Sequence, residues 1–540
     1  MSETAAPSEG RSGCALVLGI LLIATGVLFL AQNLFDYSLF RLLQRSVVLF
    51  ADYWPLLLVL WGGLKVYQRF AQPGRARVSA FEIVLLILVV ITGLSFSAGR
   101  RLLEELSGEK LEDIVGLSSI SLVGAPAHRF AGEARFALGA AEEIAIVNPG
   151  GYVKVQGGAG TEIEVQLIKR VHHESESEAS AVASGVELDF DANGTVARLT
   201  VVRPEGKTPV ECDLDVRIPK GASVTIENRR GRVSAFDIEG PVRIETGHDG
   251  IEAGNLTGGL KATTRHGEIR VTGVSGTVEL KNRGGAIVAE DVDGDLLAET
   301  SHGRLVAEDV TGKAALENRH APIQISRIGG DVRVTAQHAE VSVETAGANV
   351  AITNTNGPIF VRGVRATLTI EATNAPIQAR DISGDVRIDN RDKAVTLVGV
   401  RGAARVTSPR SPVTAEDIEG PLEIENSHDD VRVLEFGSSL AVRSTHAEVS
   451  VSTVRLAGNV SLQTTYGDVE LRVSPGASLK FEGSAKDGEL DATVPGLEIL
   501  EDRRGKERPE RTWTGSLGSA THTVTVETSY GDIHLGPAES

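Results

Sequence analysis

The sequence predicts an all-β right-handed parallel β-helix with 18-residue coils, preceded by an α-helical transmembrane region. Three observations lead to this fold class. An 18-residue pattern repeats thirteen times without insertion from Ser223 to Leu456, five positions of each repeat never become polar, and the first hundred residues contain long apolar segments. The 59 glycines and the low aromatic content, 4% of the chain, are typical of a repeat protein.

In chain order, the 540 residues are predicted to divide into six segments. These are an N-terminal tail (1–12), a transmembrane region of about three helices (13–100), a juxtamembrane helix and linker (101–139), an N-terminal β cap with the first coils (140–222), the regular 18-residue β-solenoid (223–456), and C-terminal coils with a cap (457–536). Caps are expected because an open solenoid end exposes unpaired strand edges.

The transmembrane prediction depends most on Gly13–Phe35, which has no charged residue. As a helix it is long enough to cross a hydrocarbon core of roughly 30 Å. Val47–Val66 and Phe81–Ala98 are the second and third candidate spans. The distribution of Lys and Arg near the spans favours an inside N-terminus, and three spans then place the solenoid outside. A different number of spans inverts this topology and leaves a cytoplasmic polymerising scaffold as the alternative.

Each repeat has apolar residues at positions two, four, eleven, thirteen and sixteen, as Ala314, Leu316, Ile323, Ile325 and Ile328 illustrate. Alternation with a period of two predicts short strands, and the fixed repeat predicts that each unit is one coil stacked on the last. Every strand should then bond to its equivalent in the next coil, about 4.8 Å away. The hand is expected to be right because parallel crossovers are overwhelmingly right-handed.

Position eight of the repeat is predicted to be a corner between two strands. It is mostly His, Asn, Asp or Gly, and these residues adopt a positive φ or a turn conformation more readily than most. The structural corner ladder consists of His248, His266, His302, His320, His338, His428 and His446.

Imidazole is also a metal ligand, so His302, His320 and His338 in three successive coils are a weak candidate for a metal site. Because Arg, Gly and Asn take the same position in other coils, and no paired Cys accompanies them, we expect neither a metal nor a cofactor. A further interpretation is a pH response, since stacked imidazoles that become charged below about pH 6.5 repel one another.

Position six is predicted to point inward beside the corner, in phase with positions two and four. Stacked amides and hydroxyls at this position are expected to bond the turning backbone, whose buried polar groups would otherwise be unpaired. The inward polar ladder consists of Asn228, Asn282, Asn318, Asn354, Asn390 and Asn426.

The composition excludes one class of partner and argues against catalysis. A formal net charge of −18 repels nucleic acid, whose binding depends on phosphate neutralisation. The acidic pairs Glu290-Asp291, Glu308-Asp309 and Glu416-Asp417 are spread along the solenoid, and no Ser/His/Asp arrangement, P-loop or metal motif occurs. No catalytic residue is therefore predicted, and the chain is not expected to be an enzyme. The alternative is a β-helical carbohydrate-active enzyme, which would gather carboxylates in one groove.

Two parts of the chain resemble known bacterial families. Residues 13–67, with "LVLGILLIATGVLFLAQNLF" and "DYWPLLLVLWGGLKVY", resemble the LiaI–LiaF-type membrane region of envelope-stress proteins. Most of residues 140–536, with "DLDVRIPKGASVTIEN", "SLQTTYGDVELRVSPGASL" and "TVTVETSYGDIHLG", resemble the bacterial "putative adhesin" β-solenoid family, also called the toastrack domain.

Together these resemblances imply a membrane-anchored, non-catalytic β-solenoid with a binding, adhesion or sensing role in the bacterial cell envelope, including envelope stress. They imply a multi-pass protein of the inner (cytoplasmic) membrane whose C-terminal solenoid is extracytoplasmic. Its partners would be the lipid bilayer and an envelope protein, lipid or glycan. The toastrack family has no assigned catalytic residues, so none is transferred to this chain.

Overall fold

The computed structural model describes residues 127–192, 194–204, 208–504 and 510–538. The predicted transmembrane region, with its LiaI–LiaF-like segment, and the predicted juxtamembrane helix lie outside these residues. Within the described ranges, no helix is both long enough and apolar enough to cross a membrane. This part of the chain is nearly all β-structure and forms a solenoid of about 14 turns.

The chain enters the solenoid through seven strands and one helix. They are β1 (Ala127–Ala137), β2 (Glu143–Asn148), β3 (Val153–Gly158), β4 (Glu162–His172), α1 (Glu176–Ser184), β5 (Glu187–Asp191), β6 (Val196–Val202) and β7 (Val210–Pro219). β2 and β3 form one coil. On one side of this coil, β6 pairs in parallel with β2, and β7 pairs in parallel with β3. β4 and then β1 continue one sheet antiparallel from β7, and β5 continues the other from β6.

The prediction that residues 101–139 are a helix and linker is wrong for Ala127–Ala137. These residues form β1, whose register with β4 runs from Ala127 opposite His172 to Ala137 opposite Glu162. Gly and Ala dilute the apolar alternation of this strand, which hides it from a pattern search. Phe136 stacks on Phe190 with ring centroids 4.4 Å apart, and the strand covers an edge of β4 that would otherwise be exposed.

Two parallel sheets face each other across the core, and each regular coil contributes one strand to each sheet. The first sheet contains β8 (Ser223–Asn228), β10 (Val242–Thr246), β12 (Leu260–Thr264), β14 (Val278–Asn282), β16 (Leu296–Thr300), β18 (Ala314–Asn318), β20 (Val332–Gln337), β22 (Val350–Thr355), β24 (Leu368–Thr373), β26 (Val386–Arg391), β28 (Ala404–Ser408), β30 (Leu422–Asn426), β32 (Leu440–Arg443) and β34 (Val460–Gln463).

The second sheet contains the strands between them in the chain. They are β9 (Val233–Phe236), β11 (Ile251–Leu256), β13 (Ile269–Ser275), β15 (Ile287–Asp293), β17 (Leu305–Val310), β19 (Ile323–Ile328), β21 (Val341–Ala346), β23 (Ile359–Val364), β25 (Ile377–Ile382), β27 (Val395–Val400), β29 (Val413–Ile418), β31 (Val431–Phe436), β33 (Val449–Thr453) and β35 (Val469–Val473).

The strands pair with an 18-residue step. Leu316 lies opposite Val334, and Ile325 lies opposite Val343. Beyond Leu440, which pairs with Val460, the step lengthens by two residues. The five apolar positions of each repeat fill the space between the sheets; in one coil Ala314, Leu316, Ile323, Ile325 and Ile328 are at most 3% exposed. Burial of each large aliphatic side chain contributes about 1.5–3 kcal/mol.

The spacing of positions eleven, thirteen and sixteen has a backbone cause. Position fifteen of each of the first twelve coils has a left-handed φ of 52–70°, at Asp237, Asn255, Gly273, Asp291, Asp309, Arg327, Thr345, Gly363, Asp381, Gly399, Asp417 and Glu435. The pairing skips this residue, so that Ser326 lies opposite Glu344 and Ile328 opposite Ala346. This bulge inserts one residue and returns position sixteen to the inner face.

The C-terminal end is closed by strands that return to the solenoid. They are β36 (Leu479–Ala485), β37 (Leu490–Ala492), β38 (Glu498–Arg504), β39 (Arg511–Leu517), β40 (His522–Thr528) and β41 (Ile533–Pro537). β40 and β41 stack directly on β34 and β35, and β36 pairs in parallel with β40. β39 and β38 then continue this sheet antiparallel. At this end the first sheet therefore finishes in antiparallel strands, whereas the second finishes in the short strand β37, which is parallel to β41.

Candidate functional site at the corner edge of the coils

Each regular coil turns between its two strands at positions seven to ten, as Arg319, His320, Ala321 and Pro322 do after β18. Because the coils are in register, these turns lie above one another along the solenoid. We call this row of turns, positions seven to ten of the coils in residues 223–456, the corner edge. It contains the predicted histidine ladder, and the predicted asparagine ladder lies just inside it.

The asparagine amides join the corners of successive coils. Asn354 Nδ2 donates to the carbonyl oxygen of Gly357 in its own coil and to that of Ala339 in the preceding coil, both at 2.9 Å. The same two bonds recur from Asn318 to Ala321 and Gly303, from Asn390 to Lys393 and Ala375, and from Asn228 to Gly231 and Gly151. Each asparagine therefore satisfies two backbone carbonyls at position nine.

The two hydrogens of one amide explain an alternation in the sequence. Position six reads Asn318, Ala336, Asn354, Ala372 and Asn390 in five successive coils. Since one asparagine serves its own coil and the preceding one, only every second coil needs it. The three asparagine side chains are at most 1% exposed, where water does not replace a missing donor.

Asn282 and Asn426 make related contacts. Asn282 Nδ2 donates to the carbonyls of Gly267 and Ala286, at 2.6 and 3.3 Å, and Asn426 Nδ2 donates to that of Ser411 at 3.0 Å. In other coils Thr264 and Thr300 donate to the equivalent carbonyl through their hydroxyl groups, for example 3.1 Å from Thr300 to Gly285.

Position eight lies in the turn between the two strands of each coil, and its backbone conformation varies from coil to coil. Among the thirteen residues at this position, all of them described, only His338, Asn356, Asn374 and Asp392 have a positive φ. In these corners the backbone N–H turns toward the next coil, as Asn356 N–H does to the Thr373 carbonyl at 3.0 Å. In the Asn426 coil, by contrast, His428 N–H donates to the asparagine Oδ1 at 3.1 Å. Corners of both kinds therefore occur along the edge.

All seven predicted histidines are exposed at the corner edge, but the structure does not bring them into one column. Gly284 separates the first pair from the next three, and coils with Asn, Asp or Arg separate those from the last two. The ring centroids are 5.5 Å apart for His248–His266, 4.9 Å for His302–His320, 5.9 Å for His320–His338 and 5.0 Å for His428–His446.

Sequence reasoning missed three members of these ladders. Tyr466 and Tyr530 continue the last histidine column, with ring centroids 4.7 Å from His446 to Tyr466 and 5.0 Å between the tyrosines. The repeated "SYGD" and "TYGD" strings were a signal, but the two-residue lengthening of the step had moved them out of frame. Asn148 precedes the asparagine ladder and donates to the Cys212 carbonyl at 2.9 Å. The string "IAIVN", in which apolar residues alternate up to the asparagine, could have identified Asn148 as a position-six residue.

His302, His320 and His338 form a column of rings. The planes of His320 and His338 are 9° apart, whereas the plane of His302 is tilted by 37° from that of His320. Within the residues that the structure describes, no group of three or more His, Cys, Asp or Glu side chains could hold a metal ion.

One acidic pair has a basic partner from the next coil. Arg327 donates to Glu308 and, from Nε at 2.6 Å, to Asp309. These hydrogen bonds hold the pKa of Asp309 below its usual range. A carboxyl with a lowered pKa stays ionised near neutral pH and is a poor general acid.

An open depression of about 660 Å³ lies over the first sheet near the C-terminal coils. Its two carboxylates already have partners. Asp385 accepts the Ala403 N–H at 2.9 Å, and Glu423 forms ion pairs with Arg405 at 3.1 Å and Arg443 at 3.0 Å. The depression therefore has no unpaired acidic pair to serve as acid and base.

The surroundings of His248 disfavour its charged form. Burial lowers the pKa of His248, and the nearby charges of His266, Arg230 and Arg265 lower it further, against the opposing effect of Asp249. His248 is therefore neutral over a wider pH range in the folded chain than in the unfolded chain.

Replacing Asn354 by Ala should destabilise the solenoid without disturbing its packing. The change leaves the Ala339 and Gly357 carbonyls without the amide, at a cost of about 1–3 kcal/mol each, or about 2–6 kcal/mol together. Alanine already occupies this position in the neighbouring coils, so it fits. The measurement is the free energy of unfolding in urea. Thr353→Ala, an outward-facing change on the same strand, is the matched control, and an equal effect of both changes contradicts the assignment.

His248 should make stability depend on pH in a defined direction. The unfolded chain binds this proton near the ordinary pKa of 6.5, above the folded value. The contribution of neutral His248 is thus fully present above that pH and is lost as the pH falls through the lowered folded pKa. Between about pH 7.5 and about pH 5.5, the native chain should lose more unfolding free energy than His248→Asn does. Equal losses in urea titrations refute the prediction.

Comparison with known proteins gives one sequence match and three weak overlays. A "putative cell adhesion protein" of Clostridium sporogenes overlays 76% of this chain and 100% of its own, with 7% identity and a TM-score of 0.14. A "putative adhesin" of Bacteroides fragilis overlays 75% of this chain and 97% of its own, with 9% identity and a TM-score of 0.15. A "putative adhesin" of Parabacteroides merdae overlays 64% of this chain and 95% of its own, with 9% identity and a TM-score of 0.13.

At such TM-scores the overlays support no argument about fold or function. Among curated proteins, none matches the sequence. The sequence match is to a family model: residues 382–536, the last coils and the C-terminal cap, are similar to the family described as Toastrack DUF4097.

Proposed function

We propose that this protein is a membrane-anchored, non-catalytic β-solenoid that binds a partner in the bacterial cell envelope, for adhesion or for sensing that includes envelope stress. The toastrack match over residues 382–536 supports a non-enzymatic class. The uncharged apolar segment Gly13–Phe35, together with the LiaI–LiaF-like pattern around it, supports the membrane anchor.

The observation that carries the binding proposal is the contrast between the inside and the outside of the coils. Position two stays apolar from coil to coil, whereas the neighbouring outward position three reads Arg333, Ala351, Thr369, Arg387 and Arg405 in successive strands. Solenoids offer extended surfaces for binding. A constant core under a variable surface supports recognition of one shaped partner more than attachment to a uniform lattice.

The carbohydrate-active enzyme has less support. Such an enzyme needs an acid and a base held close together beside the substrate. In the described coils, Glu308 and Asp309 are paired with Arg327, and Glu423 is paired with two arginines. Turnover of isolated envelope polysaccharides by the purified chain would restore this alternative.

The polymerising scaffold also has less support. End-to-end stacking of coils requires open parallel edges at both ends of the solenoid. Instead, β1 and β4 continue the second sheet antiparallel at the N-terminal end, and β39 and β38 continue the first sheet antiparallel at the C-terminal end. The second sheet finishes at the C-terminal end in β37, a parallel strand of only 3 residues. A regular coil of a second copy would therefore not find the full parallel register of two strands at either end.

The topology can be tested with a tag after Ser540. If the solenoid lies outside the cytoplasmic membrane, protease added to intact spheroplasts should remove the tag and digest the solenoid, because the membrane does not shield it. Immunoblotting follows the tag, and a cytoplasmic protein in the same sample reports leakage.

Protection of the tag in intact spheroplasts, together with digestion after lysis, contradicts the proposal and makes the cytoplasmic scaffold the leading function. If the tag is protected even after lysis, a protease site inserted beside it separates intrinsic resistance of the solenoid from shielding by the membrane.

A further inference from the structure

Although the chain carries a net charge of −18, one stretch of its corner edge is basic. In the first six regular coils, residues 223–330, positions seven and eight contain no Asp or Glu. They contain Arg229, Arg230, Arg265, Arg283, Arg319, His248, His266, His302 and His320. We call these nine residues the basic edge. In the following coils the same positions hold Gln, Thr, Asn, Pro and Asp among fewer cations.

The repeat aligns these cations in a row. Asn228 pairs with Thr246 across adjacent coils, so the residues that follow these two also succeed one another along the edge. Rings in the row are about 5 Å apart, at 5.5 Å for His248–His266 and 4.9 Å for His302–His320. Every residue of the basic edge is exposed except Arg230, which is half-buried.

Further arginines extend this positive surface. A guanidinium nitrogen of Arg203, in the cap, lies 3.9 Å from the point where a Cβ of Gly150 would stand, and the Cβ of Arg230 lies 3.8 Å from the same point, so Arg203 carries its charge close to the first coil of the basic edge. Arg232 and Arg304, at position ten, lie on the side of the second strand and are exposed.

The carboxylates that adjoin the basic edge mostly have partners elsewhere. They are Glu227, Glu245, Asp249, Glu268, Glu299 and Glu317. Asp249 accepts the Gly231 N–H at 2.8 Å, and Glu268 pairs with Arg270 at 2.6 Å. Glu245 pairs with Arg243, and Glu299 lies 3.7 Å from Lys281. Among these six, only Glu317 has an ion pair with a basic-edge arginine, Arg319, and that pair is 4.0 Å long.

We propose that the basic edge binds a flexible, linear polyanion whose phosphate or carboxylate groups repeat along the chain. The inference names the ligand class of the binding function proposed above and rests on it. Arginine suits such a ligand because its planar guanidinium can donate two parallel hydrogen bonds to either anionic group.

The coil spacing favours an extended ligand over a small anion. Successive coils are about 4.8 Å apart, so six coils span about 24 Å from first to last. A linear polyanion lying along the edge meets a cation in nearly every coil, whereas inorganic phosphate reaches only one or two. Affinity should therefore rise with chain length until the ligand covers the six coils.

His248 adds a pH dependence. His248 faces His266, Arg230, Arg265 and Asp249, so its proton is held less firmly when no anion is present. A bound polyanion stabilises the protonated imidazole of His248. Binding should therefore tighten as the pH falls and this imidazole becomes charged.

The experiment measures fluorescence anisotropy of labelled polyphosphate with the full chain in detergent. Short and long polyphosphates, poly-glutamate of matched length and duplex DNA are the competing ligands. We expect long polyphosphate to bind more tightly than short, and binding to weaken as salt is added. Poly-glutamate shows whether phosphate or carboxylate is preferred. Duplex DNA should bind more weakly. Its phosphates wind around a stiff helix, so only a few of them can lie against a straight row of cations.

The test variant is Arg265→Thr with Arg283→Ser, since position seven already holds Thr355 and Ser301 in other coils. It should bind polyphosphate about tenfold more weakly, the effect of losing two exposed ion pairs. The matched control, Arg333→Thr with Arg432→Ser, removes the same charge from outward strand positions that also hold Thr369 and Ser450. It should bind like the native chain.

Replacing His248 by Asn should reduce the tightening at low pH while leaving binding near pH 7.5 within about twofold, since a neutral imidazole contributes little charge. Equal weakening by the test and control variants overturns the proposal, as does equal affinity for short and long polyphosphate or tighter binding of duplex DNA. These outcomes leave the topology result unchanged, so failure of the polyanion site is distinguishable from failure of the proposed envelope function.

Discussion

The hydrogen bonds from one buried asparagine amide to the carbonyls of two successive corners are the contacts on which the coil geometry depends. Strand ladders can continue through about 14 turns only if every coil turns at the same place. At that place the carbonyl of position nine points inward, where an unmade hydrogen bond costs about 1–3 kcal/mol. Asn354 and its equivalents supply the missing donors, two corners at a time.

The left-handed bulge at position fifteen supplies a second constraint, and together the two free the outer surface to vary. The bulge turns position sixteen inward, so that Ile328 packs with Ile323 and Ile325 in the same core. With the interior determined by a few positions, the residues outside can change from coil to coil. The outer surface is accordingly divided: arginines and histidines line the corner edge of the first six coils, and a His–Tyr ring column lies near the C-terminal cap.

Most strands of this fold belong to coils that repeat every 18 residues, and such a repeat is visible in the sequence. The stacked coils, the apolar positions and the inward asparagines could therefore be predicted. The bulge was not recognised, although the three-residue gap between Ile325 and Ile328 was its mark. Strand pairings between segments far apart in the chain could not be predicted from the sequence. Ile144 lies beside Val224, and Val460 beside Val524, because inserted strands return to the solenoid, and no local pattern encodes such a return. Tyr466 was missed for a related reason, a shift in frame.

The most direct test of the asparagine bridge is a rescue from the neighbouring coil. In Asn354→Ala, a second change of Ala336→Asn provides a new amide that can reach the Ala339 carbonyl of its own coil. The new asparagine would stand beside Asn318, and asparagines already occupy adjacent coils at the N-terminal end of the solenoid, where Asn148 lies opposite Asn228. Because one of the two lost donors is replaced, the double variant should regain about half of the unfolding free energy lost by the single variant, as measured in urea. A double variant no more stable than the single one would contradict it.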